Sequence, residues 1–390
     1  MEFCRRWGVA KEVRESVWPD GSALDFVYIE SLKGAELGRY RNPTYKPRDP
    51  KAITPETGCH CPQIFFDPIL AARAKQLKSV RFAYETELVS FTQDADGVRA
   101  DIVDAKNGAR CQIACDYIVG CDGASGFVRQ ALDIPLEGLG ALSNSVNIFF
   151  RSRELPQLHD KGWARIYRLV DADGCWSELI PIDGKELFRL SIFTDQTALD
   201  RPGGALERVF GGAFPFEIIN VSAWERRDFV ATQYGRGRVF IAGDAAHQNS
   251  PTGGLGMATG IEDAANLAWK LDAMLRGWGG PDLLASYEAE RRPIARRNVD
   301  FSTRAYHAIE TIPPFKGGAA AEAYKGALDS WRDNLGRYTV PDFVKMQYTY
   351  EDSPISALDG TPHDDPEPPR FVPSTRPGSR APHAWLDDGG

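Results

Sequence analysis

Apolar positions recur along the chain at two periods, and each change of period marks an element boundary. Residues 2–14 set Phe3, Trp7 and Val9 among charges, which predicts one amphipathic helix entered without a cap. Over residues 24–40 the runs DFVYIESL and ELGRY meet at Lys33-Gly34 and read as a hairpin. Residues 66–77 read as a helix with Asp67-Pro68 as its cap and first turn. Strand-like runs at 81–91 and 98–103 join through Asp96-Gly97. The run DYIVGC (116–121) is unbroken and apolar, as a strand covered on both faces of a parallel sheet should be, and it ends in Asp122-Gly123.

The middle of the chain changes character. SVNIFFRS, WARIYRLV, CWSELIPI and LFRLSIFT follow at short spacing, broken by Asp173-Gly174 and Asp183-Gly184, and predict an inserted antiparallel meander. Trp163, Tyr167, Trp176, Phe188 and Ile192 either line a pocket there or form plain core, and core is the better reading for each alone. At VFIAG the parallel-strand pattern returns, followed by a loop and a helix over 257–275. In that helix Ile261, Ala264, Leu267, Ala268, Leu271 and Leu275 recur at three- and four-residue steps. A second helical stretch covers 283–309 and carries EAERRP. Beyond Pro313 the composition turns to Gly, Ala, Pro and Asp, which predicts a loose tail, and no internal repeat occurs.

Composition narrows the class. With 390 residues, 43% of them hydrophobic and 26% charged, the chain is long enough for two domains with a sizeable core. The net charge of −8 argues against a nucleic-acid or anionic-membrane partner, and no apolar run reaches the ~20 residues that span a bilayer. Seven cysteines and a charged amino terminus point to a reduced, cytoplasmic protein. Cys59 and Cys61 flank His60, but no second pair follows at zinc-ligand spacing, so no metal site is predicted.

The stretch with the most chemistry is GRVFIAGDAAHQNSPTGGLGMATGIEDAANLAWKL, residues 237–271. A buried strand ends in Gly243-Asp244, a glycine-rich loop follows, and a long helix begins. Gly253, Gly254 and Gly256 let backbone N–H groups approach a flat or anionic ligand, and the helix aims its positive end at the same place. Asp244, at the carboxyl end of a parallel strand, suits a sugar or ribityl hydroxyl.

This stretch closely resembles the second flavin-binding signature of the para-hydroxybenzoate hydroxylase family, the class A flavoprotein aromatic monooxygenases, and the chain resembles the phenol hydroxylase-like branch. The resemblance implies that Gly243 and Asp244 bind the ribityl chain of FAD. Pro251, Gly253, Gly254, Leu255, Gly256 and Met257 would lie along the isoalloxazine ring, with Ala258 where relatives commonly carry Asn. His247 recurs in the family's motifs and reads as structural. The segment DGASGFVR resembles the family's DG motif, which implies FAD contacts from Asp122, Gly123 and Arg129; Gly126 stands where a serine is usual. Gln63, ahead of Asp67 and Leu70, resembles the glutamine that contacts the flavin at a helix entry.

The implied fold is α/β: a Rossmann-like FAD-binding domain with an inserted antiparallel substrate-binding sheet. Residues 1–135 would be the FAD-binding domain, with substrate-domain strands around 24–40, and 136–234 the substrate sheet. The FAD-binding domain would return with its helices over 235–312, and 313–390 would be tail and linker. The family opens with a GxGxxG loop that cradles the FAD pyrophosphate; no GxGxxG occurs here. The expectation is therefore a chain that lacks the first βαβ unit, binds FAD weakly, and stops at Gly390, shortly after PGSRAPHAWL, which resembles the linker to a thioredoxin-like domain.

The implied activity is hydroxylation of a small phenolic or other aromatic substrate through a flavin C4a-hydroperoxide, with NAD(P)H and O2 as cosubstrates. No stable membrane association is expected, and a homodimer is compatible with the sequence. No catalytic base emerges: Tyr167 and Arg165 are candidates, but both read better as ordinary sheet residues. The alternatives are an inactive or FAD-deficient fragment and a flavin-dependent oxidoreductase of another reaction type. Halogenases carry a Trp-x-Trp signature, absent from this sequence.

Overall fold

A computed structural model describes residues 1–18, 22–41, 54–56, 58–193, 196–317, 321–334, 346–362 and 371–384. The chain opens with two short helices rather than one, α1 (Glu2–Arg6) and α2 (Ala10–Arg14). Gly8 between them adopts φ +75°, a left-handed turn that ends the first helix. The predicted hairpin is β1 (Phe26–Ile29) paired antiparallel with β2 (Glu36–Tyr40). Helix α3 (Gln63–Lys75) starts three residues early and carries Pro68 inside it, not at its start. The N–H missing at Pro68 would have met the carbonyl of Ile64, an exposed residue, so its loss leaves no buried carbonyl stranded there and the helix continues.

Strands β3 (Thr86–Gln93), β4 (Val98–Asp104) and β5 (Arg110–Cys115) form a small antiparallel sheet. After β6 (Ile118–Gly120) and α4 (Phe127–Ala131) comes the predicted meander. It consists of β7 (Leu136–Arg151), β8 (Ile166–Asp171), β9 (Gly174–Pro181) and β10 (Leu187–Ile192), followed by α5 (Pro202–Phe210). A further strand that the period-two pattern does not announce, β11 (Glu217–Ala231), pairs along almost all of β7. Its buried positions include Arg226 and Asp228, so its alternation is masked by charge.

The chain then runs through β12 (Gly235–Arg236), β13 (Val239–Ile241) and β14 (His247–Gln248) to helices α6 (Gly256–Leu275), α7 (Ala285–Glu310) and α8 (Ala321–Asn334). The large sheet has the order β14-β11-β7-β10-β9-β8-β1-β2, and a smaller one the order β12-β13-β6. One face of the large sheet packs Val146, Ile148 and Phe150 against Phe188, Leu190 and Ile192. Tyr167 and Trp176 belong to the same cluster, with Trp163 against its edge, so these aromatics are core. Helix α8 lies where composition predicts a loose tail. Its Tyr324 and Leu328, one turn apart, bury against Tyr28 and Leu37, and this short apolar stripe outweighs the glycine- and proline-rich context. Among the described residues no helix is long and apolar enough to cross a membrane.

Candidate functional site

Strands β6 and β13 run parallel with Gly120 opposite Ile241, and Ala242 N–H donates to Gly120 O at 3.0 Å. Both strands therefore deliver their motifs, Asp122-Gly123 and Gly243-Asp244, at one sheet edge, beyond the carboxyl ends. Gly243 turns the chain with φ +62° and meets the first turns of α6. A Cβ built on Gly260 would stand 3.1 Å from Gly243 Cα, so two glycines permit that approach.

Helix α6 has no side-chain cap and no acidic residue in its first turn. Thr259 N–H is the first to reach a helical carbonyl, Leu255 O at 2.9 Å. The N–H groups of Gly256, Met257 and Ala258 are left for an outside partner, with the positive helix end behind them. Gly253 (φ +93°) and Gly254 (φ +67°) form the approach, and Leu255 is buried against Phe301 and Ala305 of α7. Pro251, Gly254 and Met257 are exposed. So is Asp244, whose carboxylate makes no hydrogen bond or ion pair among the described residues.

The loop is held from beneath by Asp263, which is fully buried. Asp263 Oδ2 accepts from Gly243 N–H at 3.2 Å and lies 2.6 Å from His247 Nε2, while Oδ1 accepts from Arg291 Nε at 2.9 Å. Burial works against the Asp263 charge, but the His247 ring and the Arg291 guanidinium together hold its carboxyl below the usual carboxylate range. His247 is thus a structural partner. Sequence reading missed Asp263, although Gly256, Gly260, Asp263 and Leu267 share one helical face.

A second support is Arg226 of β11, also buried. Its Nη1 donates to Ser250 Oγ at 2.8 Å and to Thr252 Oγ1 at 3.0 Å, and its guanidinium stacks 4.2 Å from the Tyr306 ring. Burial lowers its pKa, and no carboxylate pairs with it among the described residues.

The DG segment is clipped to the same place, since Gln248 Nε2 donates to Ala124 O at 2.9 Å. Asp122 Oδ2 accepts from Val128 N–H at 2.9 Å and so caps α4. A Cβ on Gly126 would lie 2.2 Å from Asp122 Oδ1, so the serine usual in the family does not fit while Asp122 holds this cap. Gly123 takes φ +82°. Arg129 turns away from the loop, donating to Ile134 O at 3.0 Å. Gln63 is the exposed first residue of α3, and that helix reaches α6 through Phe66 and Ile261.

The remaining candidates sit elsewhere. Tyr167 donates its hydroxyl to Gly162 O inside the core, and burial raises its pKa. Arg165 N–H bonds Asp25 O. Cys59 Sγ lies 3.3 Å from Met1 Sδ, its thiol pushed up to about 11 by burial, and His60 stands edge-on to Trp18. A cavity of ≈ 350 Å³ lies beside Trp269 and Trp278, and one of ≈ 370 Å³ beside Trp163 and Lys185. Neither is lined by the 243–257 loop.

A parallel strand, a glycine turn, an exposed unpaired acid and an uncapped long helix, joined to a large mixed sheet, are the parts of a nucleotide-cofactor site. Gly253, Gly254 and Gly256, the amides free to donate at the start of α6 and the free Asp244 carboxylate fit a flat ring with a polyol tail. The chain belongs to the FAD binding domain family, which matches residues 1–302. It is 30% identical to the 2,4-dichlorophenol 6-monooxygenase of Cupriavidus pinatubonensis, over 99% of this chain and 70% of that protein. It is 31% identical to the aklavinone 12-hydroxylase DnrF of Streptomyces peucetius, over 100% of this chain and 78% of the relative. Among solved structures, RebC with bound 7-carboxy-K252c superposes with a TM-score of 0.88 at 35% identity, covering 98% of this chain and 73% of RebC. The flavin-dependent monooxygenase PieE, in complex with FAD and substrate, gives 0.87 at 29% identity, covering 100% of this chain and 73% of PieE. The protein is an FAD-dependent monooxygenase, with NAD(P)H and O2 as cosubstrates.

Proposed function

We propose that the protein inserts one oxygen atom into an electron-rich aromatic ring, a phenol or a polyketide-type polycycle. Relatives are named for 2,4-dichlorophenol, aklavinone and polyketide substrates, which supports that class. FAD, when bound, supplies the oxygen-transfer chemistry and takes its electrons from NAD(P)H. The chain's own residues bind and orient. Asp244 would accept from the ribityl hydroxyls, and the free amides of Gly256, Met257 and Ala258 would donate to the ring edge, with Gly253, Gly254 and Leu255 shaping the approach. Pro251, Asp122, Gly123 and Gln63 would border the ring, while Arg129, which donates to Ile134 O, would brace the chain after α4. Arg226 fixes the Ser250–Thr252 bend, and its uncompensated charge favours an ionised phenol over a neutral one.

The observation that carries this reading is the exposed, unengaged Asp244 beside the uncapped start of α6. The test is NAD(P)H oxidation with added FAD and a panel of phenols and naphthols under isotopically heavy dioxygen. Ring-stimulated oxidation with one heavy oxygen in the product is expected. Oxidation with no labelled product assigns another flavin reaction. We further propose a cytoplasmic location, since all seven cysteines are free thiols, and a homodimeric state, which sedimentation decides.

A further inference from the structure

Beyond α8 the chain returns to the helix pair that carries the glycine loop. Residues 347–353 cross α6 and α7 as a strap. Gln347 O accepts from Arg297 Nη1 at 2.6 Å, and Ser353 Oγ donates to Glu290 Oε1 at 2.7 Å. The strap is also held from its other side. Tyr350 N–H donates to Gly378 O at 3.0 Å, the Thr349 and Ser379 hydroxyls stand 2.7 Å apart, and the buried Arg376 pairs with Glu351.

Between these anchors the strap sets one hydroxyl on a buried guanidinium. Arg291 is fully buried, and its Nε donates to Asp263 Oδ1 at 2.9 Å. Its Nη2 donates to Glu262 Oε2 at 2.9 Å and to Thr259 O at 3.4 Å. Its Nη1 donates to Tyr350 OH at 3.3 Å, the one acceptor it has among the described residues. The Tyr348 ring packs beside that of Tyr350, with centroids 5.5 Å apart. A guanidinium is a rigid planar fork, so an acceptor at one nitrogen orients the other two. A buried N–H left without an acceptor is costly, which gives the Tyr350 contact its leverage. Asp263, held by this fork, accepts from the N–H of Gly243, one residue before Asp244. Ser353 meets the same helices off this path: Glu290 also accepts from Lys270 Nζ and Asn266 Nδ2, both at 2.6 Å, and none of these bonds Asp263 among the described residues.

We propose that Tyr350 is a positioning residue for the FAD site: acting through Arg291 and Asp263, it holds the Gly243 turn, and so Asp244, in the orientation that meets the cofactor. A segment about a hundred residues further along the chain thereby sets the shape of the glycine loop. The coupling to FAD rests on the reading of Asp244 as a flavin contact, so the first arm of the test is read without flavin.

The test compares wild type, Tyr350→Phe and Ser353→Ala by hydrogen exchange without FAD and by fluorescence titration of FAD. Each variant removes one strap hydroxyl, and only the first lies on the path to Gly243. In Tyr350→Phe the amides of residues 243–247 should exchange about threefold faster or more, and FAD should bind about three- to tenfold more weakly. Ser353→Ala should quicken exchange in the strap alone and bind FAD as the wild type does. In an Asp263→Asn background Tyr350→Phe should add nothing at residues 243–247, because the path is already cut. Wild-type exchange at residues 243–247 in Tyr350→Phe overturns the proposal. An equal acceleration there in Ser353→Ala overturns it too, since the strap would then act as a general brace. Faster exchange in Tyr350→Phe with unchanged FAD affinity would leave the relay standing and sink the reading of Asp244 as a flavin contact instead.

Discussion

His247 Nε2 lies 2.6 Å from Asp263 Oδ2, and both side chains are wholly buried under the glycine loop. Asp263 also accepts from Gly243 and Arg291, so one carboxylate ties a strand end, a loop and two helices. Asp263→Asn keeps the shape and leaves Arg291 with Glu262, also at 2.9 Å, as its remaining ion pair. Leaving one member of a buried pair wholly unpaired costs ~3–5 kcal/mol, and the retained Glu262 should hold the loss below that. Urea unfolding should show that loss, and FAD binding should weaken because the Gly243 turn loosens. An unchanged midpoint would contradict the role given to Asp263.

Acid should act through the same group. The Asp263 carboxyl is held below its ordinary range in the folded protein. Its contribution to stability is complete above the unfolded carboxyl value of about 3.9 and fades as pH falls through the lower folded value. Between neutral pH and about 5 this group should contribute no slope to unfolding free energy. Below about 4 the wild type should lose stability more steeply than Asp263→Asn, which has no carboxyl to protonate there.

At Gly126, serine should destabilise. The Cβ would lie 2.2 Å from Asp122 Oδ1, so Asp122 must release Val128 N–H. Losing a helix cap costs ~1 kcal/mol. Thermal unfolding of Gly126→Ser should show a drop of that order, and a stabilised variant would mean the serine finds a cap of its own.

Leu328 is buried against the β1–β2 hairpin, with its Cδ2 2.4 Å from where a Gly38 Cβ would stand. Leu328→Ala should cost ~2–4 kcal/mol if α8 is part of the cooperative fold. Hydrogen exchange should then speed up in β1 and β2 as well as in α8, whereas acceleration confined to α8 would make it a separately fraying element.

Much of the frame was legible because its elements follow simple periods. The VFIAG strand is buried throughout and the meander strands bury one alternating face, both within a few residues of where the pattern puts them. Helix α6 also lies where its period predicts, but it buries Thr259, Asp263, Leu267, Lys270 and Ala273, while Ala264, Ala268 and Leu275 of the apolar stripe are exposed. The failures have physical reasons too. Gly8 splits a helix that charge patterning alone runs together, and Pro68 is tolerated because the residue whose carbonyl it leaves unpaired, Ile64, is exposed. β11 hid because Arg226 and Asp228 occupy inward positions that a hydrophobic pattern counts as outward. The glycine loop and Asp244 could be read from residue type, since free amides and an acid at a strand end need no partner to be recognised. Asp263 could not, because its meaning depends on what lies opposite it in space.

The central claim is that Asp244 and the free amides at the start of α6 grip the flavin, and fluorescence titration of FAD into wild-type and Asp244→Ala protein tests it most directly. Asp244 is exposed and unbonded, so the substitution should leave the unfolding midpoint within about 0.5 kcal/mol of wild type. The loss of hydrogen bonds to a charged group should weaken FAD binding about tenfold or more. Equal FAD affinity in the two proteins would contradict the account.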